Sequence, residues 1–572
     1  MYAKSVKPKF WIYLILTVLT LIYSTMKLKH QFLPRYLGCL LLLIINPLWS
    51  QDIHWEKSYG GKQADYLFDV IPTPDYGFIL GGCSLSKKSG AKTAINRGDM
   101  DYWVWKMDEK GNQDWQKGMG GSGQDMLACV LLTNDGGYIL AGSSESDKSL
   151  DKKEDSRGLS DFWIIKLNAK GGEEWQKTIG GSGQDELTSI VRTRDGGFVL
   201  AGSSNSELSA DKTTTSFGGM DYWVIKVDRE GKLVWQNSFG GMYNDELRSL
   251  VVTQDGGFLL GGSSNSPEGG TKINKGLGQS DYWIVKIDDE GKEVWQQTYG
   301  GNGDDQLYVA QELANGSYIF GGSSNSESGE SKTKSNESGT DFWVVAIDKD
   351  QKLLWQETYN IAKTDVLNSL VENDDHTLLL GGYAQGEVAK KKSTAKALKM
   401  AKSGLVTESL KSGTGDYVAL KINEKGEELW RKSVGSSGTD ILKKVIETRD
   451  GGYLMTGTSK GTQSGDRSSG IGGADFWVVK LLDKDKKKAD KLPVEAIPNP
   501  AVDYTNVIVG YDFKKGTATL VDIAGHVLQQ FEITERTVPI DLQGLPEGVY
   551  VVNIKTDVQN SGVKIIKGNG RK

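Results

Sequence analysis

The 572-residue chain has few of the residues that usually anchor a chemical reading. It has three Cys, four His and 11 Pro. Three Cys exclude a disulfide scaffold, and one of them, Cys39, lies in an N-terminal apolar segment. Cys83 and Cys129 fall at different places in a repeat and read as small apolar strand residues. Four His, with no His-Glu-x-x-His, leave no copper or zinc constellation, and no Gly-Lys-Ser/Thr phosphate loop is present. A formal charge of −6 carries no footprint for nucleic acid. Neither apolar run near the start, 10–22 nor 36–49, reaches the roughly 20 residues of a membrane span. No cofactor is expected. Gly118-x-Gly120-x-x-Gly123 spells a dinucleotide pattern but lies between strands rather than before a helix, so it is set aside.

The chain is rich in Gly (72) and in aromatics, and above all in regularity. Trp55, Trp115, Trp175, Trp235, Trp295 and Trp355 are spaced 60 residues apart, and Trp430 follows after 75. A fixed period of this kind is one supersecondary unit copied around an axis. Within one unit, Glu174–Ile179, Glu186–Arg192, Phe198–Gly202 and Asp221–Val227 alternate as strands. The turn Asp195-Gly196-Gly197 and the Asp-x-x-Gly turns at 108–111, 228–231 and 288–291 join neighbours into antiparallel hairpins. Four strands per unit and seven units predict an all-β, seven-bladed propeller over 51–483. The phase predicts closure. The lone first strand, Ile53–Tyr59, should pair with Asp475–Leu482, the last strand without an outer neighbour, so that no sheet edge stays open.

The run Leu259-Leu260-Gly261-Gly262-Ser263, then Asp281-Tyr282-Trp283, then Trp295 resembles a kelch repeat. The stretch from Asp288 through Gly291 to Trp295 is also similar to the tryptophan-docking segment of quinoprotein propellers. The period is long for kelch, and the quinoprotein Ala and Thr are missing. Both likenesses imply propeller geometry and no particular chemistry.

After a charged linker, 484–492, the period ends and Trp disappears. The remainder, 493–572, reads as a small β-sandwich. Its opening Pro498-Asn499-Pro500, the turn Asp522-Ile523-Ala524-Gly525, the strand Gly548-Val549-Tyr550 and the final Lys564-Ile565-Ile566-Lys567 resemble the C-terminal sorting domain of the type IX secretion system. A β-sandwich carbohydrate-binding module is the alternative. The resemblance implies export through the type IX machinery, loss of the domain on the way, and a mature protein released or held at the outer surface. Any membrane contact would then be in transit or through surface attachment. Residues 1–50 read as an N-terminal extension and signal peptide, with Met26 as the translation start and cleavage at Ser50–Gln51; the alternative is an uncleaved anchor built from Phe10–Ile22.

Candidate site residues fall in two classes. Asp65, Asp125, Asp185, Asp245, Asp305, Asp365 and Asp440 follow each repeat Trp by ten residues. A ring of carboxylates suits a cation, but sevenfold repetition favours carboxylates that accept backbone N–H bonds from their own loops. Asp101, Asp161, Asp221, Asp281, Asp341, Asp416 and Asp475 open the third strands and read the same way. The second class is the loop between second and third strands, which differs from unit to unit. The first carries Arg97-Gly98-Asp99, and the sixth unit has lost its Gly-Gly pair and gained a basic, Ala-rich insertion within 384–415. Binding residues concentrate on variable loops of rigid scaffolds. The expectation is a surface-exposed, non-catalytic binder of glycan or protein. The alternative is an extracellular glycan-active hydrolase or lyase using carboxylates near the channel.

Overall fold

The computed structural model describes residues 52–133, 135–168, 170–329, 331–336, 339–388, 415–484, 492–502 and 504–568. The cleavage pair Ser50–Gln51 and most of the sixth-unit insertion lie outside the described residues.

Seven four-stranded antiparallel sheets follow one another along the chain. In the third blade the order is Asp185–Arg192, Phe198–Ser204, Asp221–Val227, Leu233–Phe239, from the channel outward. The last blade is completed by the first strand. Ile53–Tyr59 runs antiparallel to Asp475–Leu481, with Ser58 opposite Trp477 and Tyr59 opposite Phe476. The ring therefore closes through one strand from its beginning and three from its end, and Asp475–Leu481 gains an outer partner instead of forming the sheet's edge.

The third strands, and the second strands but for Ser143 and the far end of the sixth blade's, are buried on both faces, which is why both read as near-continuous apolar runs. Each core cluster sits between adjacent blades rather than within one. Third-strand aromatics stitch neighbours together. Tyr102, Tyr222 and Tyr282 stack on Trp163, Trp283 and Trp343 at 4.7–4.9 Å. Each also donates its hydroxyl to that Trp's carbonyl at 3.0–3.1 Å. The third-strand Trp residues are fully buried; in blades one to five their indole N–H groups bond an outer-strand Gln, as in Trp163 to Gln176 at 3.1 Å, and in the seventh blade Trp477 bonds Glu56.

The periodic outer Trp residues have a different task. All seven are half-buried, and Trp55, Trp115, Trp175, Trp235 and Trp355 lie over the turn glycines Gly111, Gly171, Gly231, Gly291 and Gly426 of the next blade. A Cβ built on Gly291, at φ +83°, would meet the Trp235 ring at 2.9 Å. Trp235 and Trp355 also donate to turn carbonyls, Asp289 at 3.2 Å and Glu424 at 2.7 Å. Trp105, outside the repeat pattern, is buried against Tyr59 at 4.5 Å, where it packs on the closing strand.

In the sixth blade the first two strands are extended, Ala362–Glu372 and Leu378–Val388, because the chain continues the hairpin where the other blades turn at a Gly-Gly loop. Strands from Val494 to Lys567 form two sheets, of three and four strands, around an apolar core that includes Val507, Leu520, Val552 and Ile565.

This sandwich rests on the propeller end formed by the short turns. Tyr504 donates to the Thr133 carbonyl at 3.2 Å, and Thr537 donates to Asp75 at 3.1 Å. Arg449 pairs with Glu495 at 2.7 Å, and Arg536 with Glu109 at 3.2 Å. The long loops and the Gly-Gly loops occupy the opposite end.

Candidate functional site

The seven Asp residues ten positions after each outer Trp are fully buried. Each takes a backbone N–H four residues upstream, from Gly61 at 2.6 Å, Gly181 at 2.7 Å, Gly301 at 2.8 Å and, in the sixth blade, Ile361 at 2.7 Å. In blades one to five a Ser hydroxyl adds a bond, such as Ser86 to Asp65 at 3.0 Å and Ser326 to Asp305 at 2.8 Å. Burial pushes these carboxyls up, Asp125 to about 6 and Asp365 to about 7. Asp365 is highest because no Ser hydroxyl stands beside it, only backbone N–H groups.

The third-strand Asp row accepts from the ends of the long loops, for example Phe217 N–H to Asp221 and Leu277 N–H to Asp281, both at 2.7 Å. The two rows thus hold the loops of one propeller end, and none of the fourteen lines the channel cavity. Asp221 and Asp281 are raised to about 6, first by burial.

A row of buried cations lies beneath those loops that the sequence reading did not single out: Lys92, Lys152, Lys212, Lys272 and Lys332, with Arg467 in the seventh blade. Lys92 donates to Ser84 and to the Ser86 carbonyl, each at 2.7 Å, and lies 5.9 Å from the Trp103 ring centroid. Burial lowers Lys332 to about 8. Arg467 and Asp475 form a fully buried ion pair. Arg97 of the Arg-Gly-Asp tripeptide is held by Asp151 at 2.8 Å.

The repeats diverge most at the channel. A cavity of about 380 Å³ is lined by one residue from the same position of every innermost strand: Phe68, Ala128, Thr188, Arg248, Tyr308, Asn368 and Lys443. No two are alike, whereas the Leu before each of them is constant. Two residues nearer the long-loop end stand Tyr66, Met126, Glu186, Glu246, Gln306, Val366 and Ile441. Glu186 and Glu246 share a smaller adjoining cleft of about 330 Å³ with Arg248 and Gln184. Arg248 pairs with Glu246 at 2.5 Å, and Gln184 donates to Glu186 at 2.8 Å. The Lys443 ammonium lies 5.6 Å from the Phe68 ring centroid. Burial, then the charge of Arg248, lower its pKa, and burial raises that of Tyr308. The signal for this ring was present in the sequence as thirteen-residue offsets from each outer Trp, a variable slot beside invariant ones.

A larger groove of about 850 Å³ lies at the other end, between the sandwich and the turns, with Lys166, Arg192, Arg194 and Arg229 on one wall and Pro498, Pro500 and Tyr504 on the other.

The sorting-motif residues hold the sandwich together. Asn499 bridges to the final strand, donating to the Lys564 carbonyl at 2.7 Å and accepting from Ile566 N–H at 2.9 Å. Tyr550 donates to the Pro546 carbonyl at 2.6 Å. Gly525, at φ +87°, makes the turn after Asp522, and Gly548 opens the strand to Thr556.

Residues 495–568 match the family described as the secretion system C-terminal sorting domain. The chain is thus a seven-bladed β-propeller carrying a type IX sorting domain, which directs it to the cell surface or the extracellular space.

Among curated proteins, the regulatory protein FlaEY of Caulobacter vibrioides is 26% identical over 174 residues, covering 28% of this chain and 18% of that protein. The chain therefore spans less than a fifth of that relative's length. Among solved structures, Sqt1 from Chaetomium thermophilum aligns over 77% of this chain and all of its own, at 12% identity and TM-score 0.38. PorZ, a surface component of the type IX secretion system of Porphyromonas gingivalis, aligns over 88% of this chain and 81% of its own, at 8% identity and TM-score 0.22. The fold rests on the strand pairing itself.

Proposed function

We propose that the secreted propeller is a non-catalytic binding module for glycan or protein, with its ligand face at the long-loop end and the channel mouth. The observation that carries this reading is the ring of seven unlike residues in an otherwise repetitive barrel of blades. A scaffold position that needed only packing would repeat as its neighbours do. Members of both Asp rows accept loop N–H bonds, which favours a loop-holding role for them over cation binding or acid–base work. Among the described residues the polar contacts of the sandwich fall at the opposite end, so the sorting domain leaves the proposed ligand face clear.

A second reading, a glycan-active enzyme, draws on Glu186 and Glu246. They are the only acids at their repeat position and share one cleft, as the paired carboxylates of glycoside hydrolysis must. Against it, Glu186 is open to water and Glu246 is tied to Arg248. An acid catalyst needs an environment that keeps it protonated. A glycan array and a polysaccharide turnover screen on the full secreted chain separate the two. Retention of glycan without turnover is expected. Turnover abolished by Glu186→Gln or Glu246→Gln would overturn the binding-module reading.

A further inference from the structure

Two cations stand in the channel ring. Arg248 is neutralised in part by Glu246. Lys443 is half-buried, makes no ion pair among the described residues, and lies against the Phe68 ring. Two like charges lining one cleft repel, and an anion between them would relieve that repulsion. The charge also changes sign along the channel axis. The cations occupy the inner ring, whereas Glu186 and Glu246 lie nearer the mouth. A polyanion without hydroxyl donors, such as polyphosphate, would meet the acidic rim of Glu186 and Glu246 with no hydrogen to donate to it. A ligand with one carboxylate and several hydroxyl donors fits both zones. The walls add Tyr308 and Phe68, flat apolar faces of the kind that pack against sugar rings, with Asn368 on the channel wall. The volume of about 380 Å³ is that of a small-molecule site.

From this arrangement we infer that the channel mouth binds a uronic-acid unit of an acidic polysaccharide. Its carboxylate points inward to Lys443 and Arg248, and its hydroxyls donate outward to Glu186 and Glu246. The inference rests on the binding-module reading and narrows its ligand class.

The test uses the full secreted chain and two forms of one polymer, polygalacturonate and its methyl ester, in calorimetric or affinity-gel titrations. The acid form should bind at least about tenfold more tightly, which is about 1.4 kcal/mol, and binding should weaken with added salt. Lys443→Gln should remove that preference for the acid form. Lys349→Gln, which removes a cation from an exposed short turn away from the channel, should preserve it and serves as the control, alongside unchanged thermal midpoints. Equal binding of both forms would overturn the carboxylate assignment and leave the binding module standing. Equally tight binding of poly-L-glutamate would overturn the sugar assignment. Failure to bind either polymer overturns the uronate inference, whereas failure across a whole glycan and protein panel overturns the parent reading as well.

Discussion

Replacing Arg467 by Ala should be among the most damaging single changes in the propeller. Its guanidinium is fully buried with Asp475, which it meets at 2.5 Å. It also donates to Ser459 at 2.8 Å and, across the ring closure, to Ser58 of the first strand at 3.0 Å. Truncation leaves the Asp475 carboxylate buried without its cation, a loss of roughly 3–5 kcal/mol. It also removes a direct tie between the first strand and the last blade. Against a total stability of about 5–15 kcal/mol this is a large fraction. Arg467→Lys should behave otherwise. A Lys holds this place in blades one to five, and Lys152 reaches Thr178, the equivalent of Ser58, at 3.0 Å. The Lys variant should stay within about 1 kcal/mol of the parent, because a cation remains near the Asp475 carboxylate, as Lys92 stands within electrostatic reach of Asp101 in the first blade.

Denaturant titration followed by Trp fluorescence reports the change, since Trp477 sits at the closure with its indole N–H on Glu56 at 2.8 Å. A double-mutant cycle with Ser58→Ala isolates the cross-closure share. The reasoning is refuted if Arg467→Ala costs less than about 1 kcal/mol, or if Lys is as harmful as Ala.

Asp125, Asp221 and Asp281 titrate near 6 and Asp365 near 7, whereas the unfolded chain protonates its Asp residues at about 4. Between those limits the native state binds more protons, so these groups make stability fall as pH rises from about 4 to 7. The thermal midpoint should therefore rise on going from pH 7.5 to 5.5. Asp365→Asn should flatten part of that rise, and a midpoint that falls over this interval would contradict it. Gly291→Ala should cost about 1–3 kcal/mol, since φ is +83° and the new Cβ meets the Trp235 ring; an unchanged denaturation midpoint would refute the turn-cover role of Trp235. Asn499→Ala should remove two bonds to the last strand and destabilise the sorting sandwich by about 1–3 kcal/mol. The measurable outcome is a smaller secreted fraction, and normal secretion with normal stability would refute it.

The blade count, the strand phase and the closing partner of Ile53–Tyr59 were legible in the sequence, because period-2 alternation and Asp-Gly turns are local features that survive without tertiary context. The export signal was legible for the same reason, as a contiguous motif order from Pro498 to Lys567. The Asp rows were legible as repeats, but their burial and their bonds to loop N–H groups depend on how each loop folds back. Trp105 had no repeat partner, and only the closing strand decided that it is core. The channel ring depended most on the tertiary structure. Phe68, Arg248, Tyr308 and Lys443 are each one variable residue on a separate strand, scores of residues apart. They become neighbours only when the ring closes and points one side chain from every blade at a common axis.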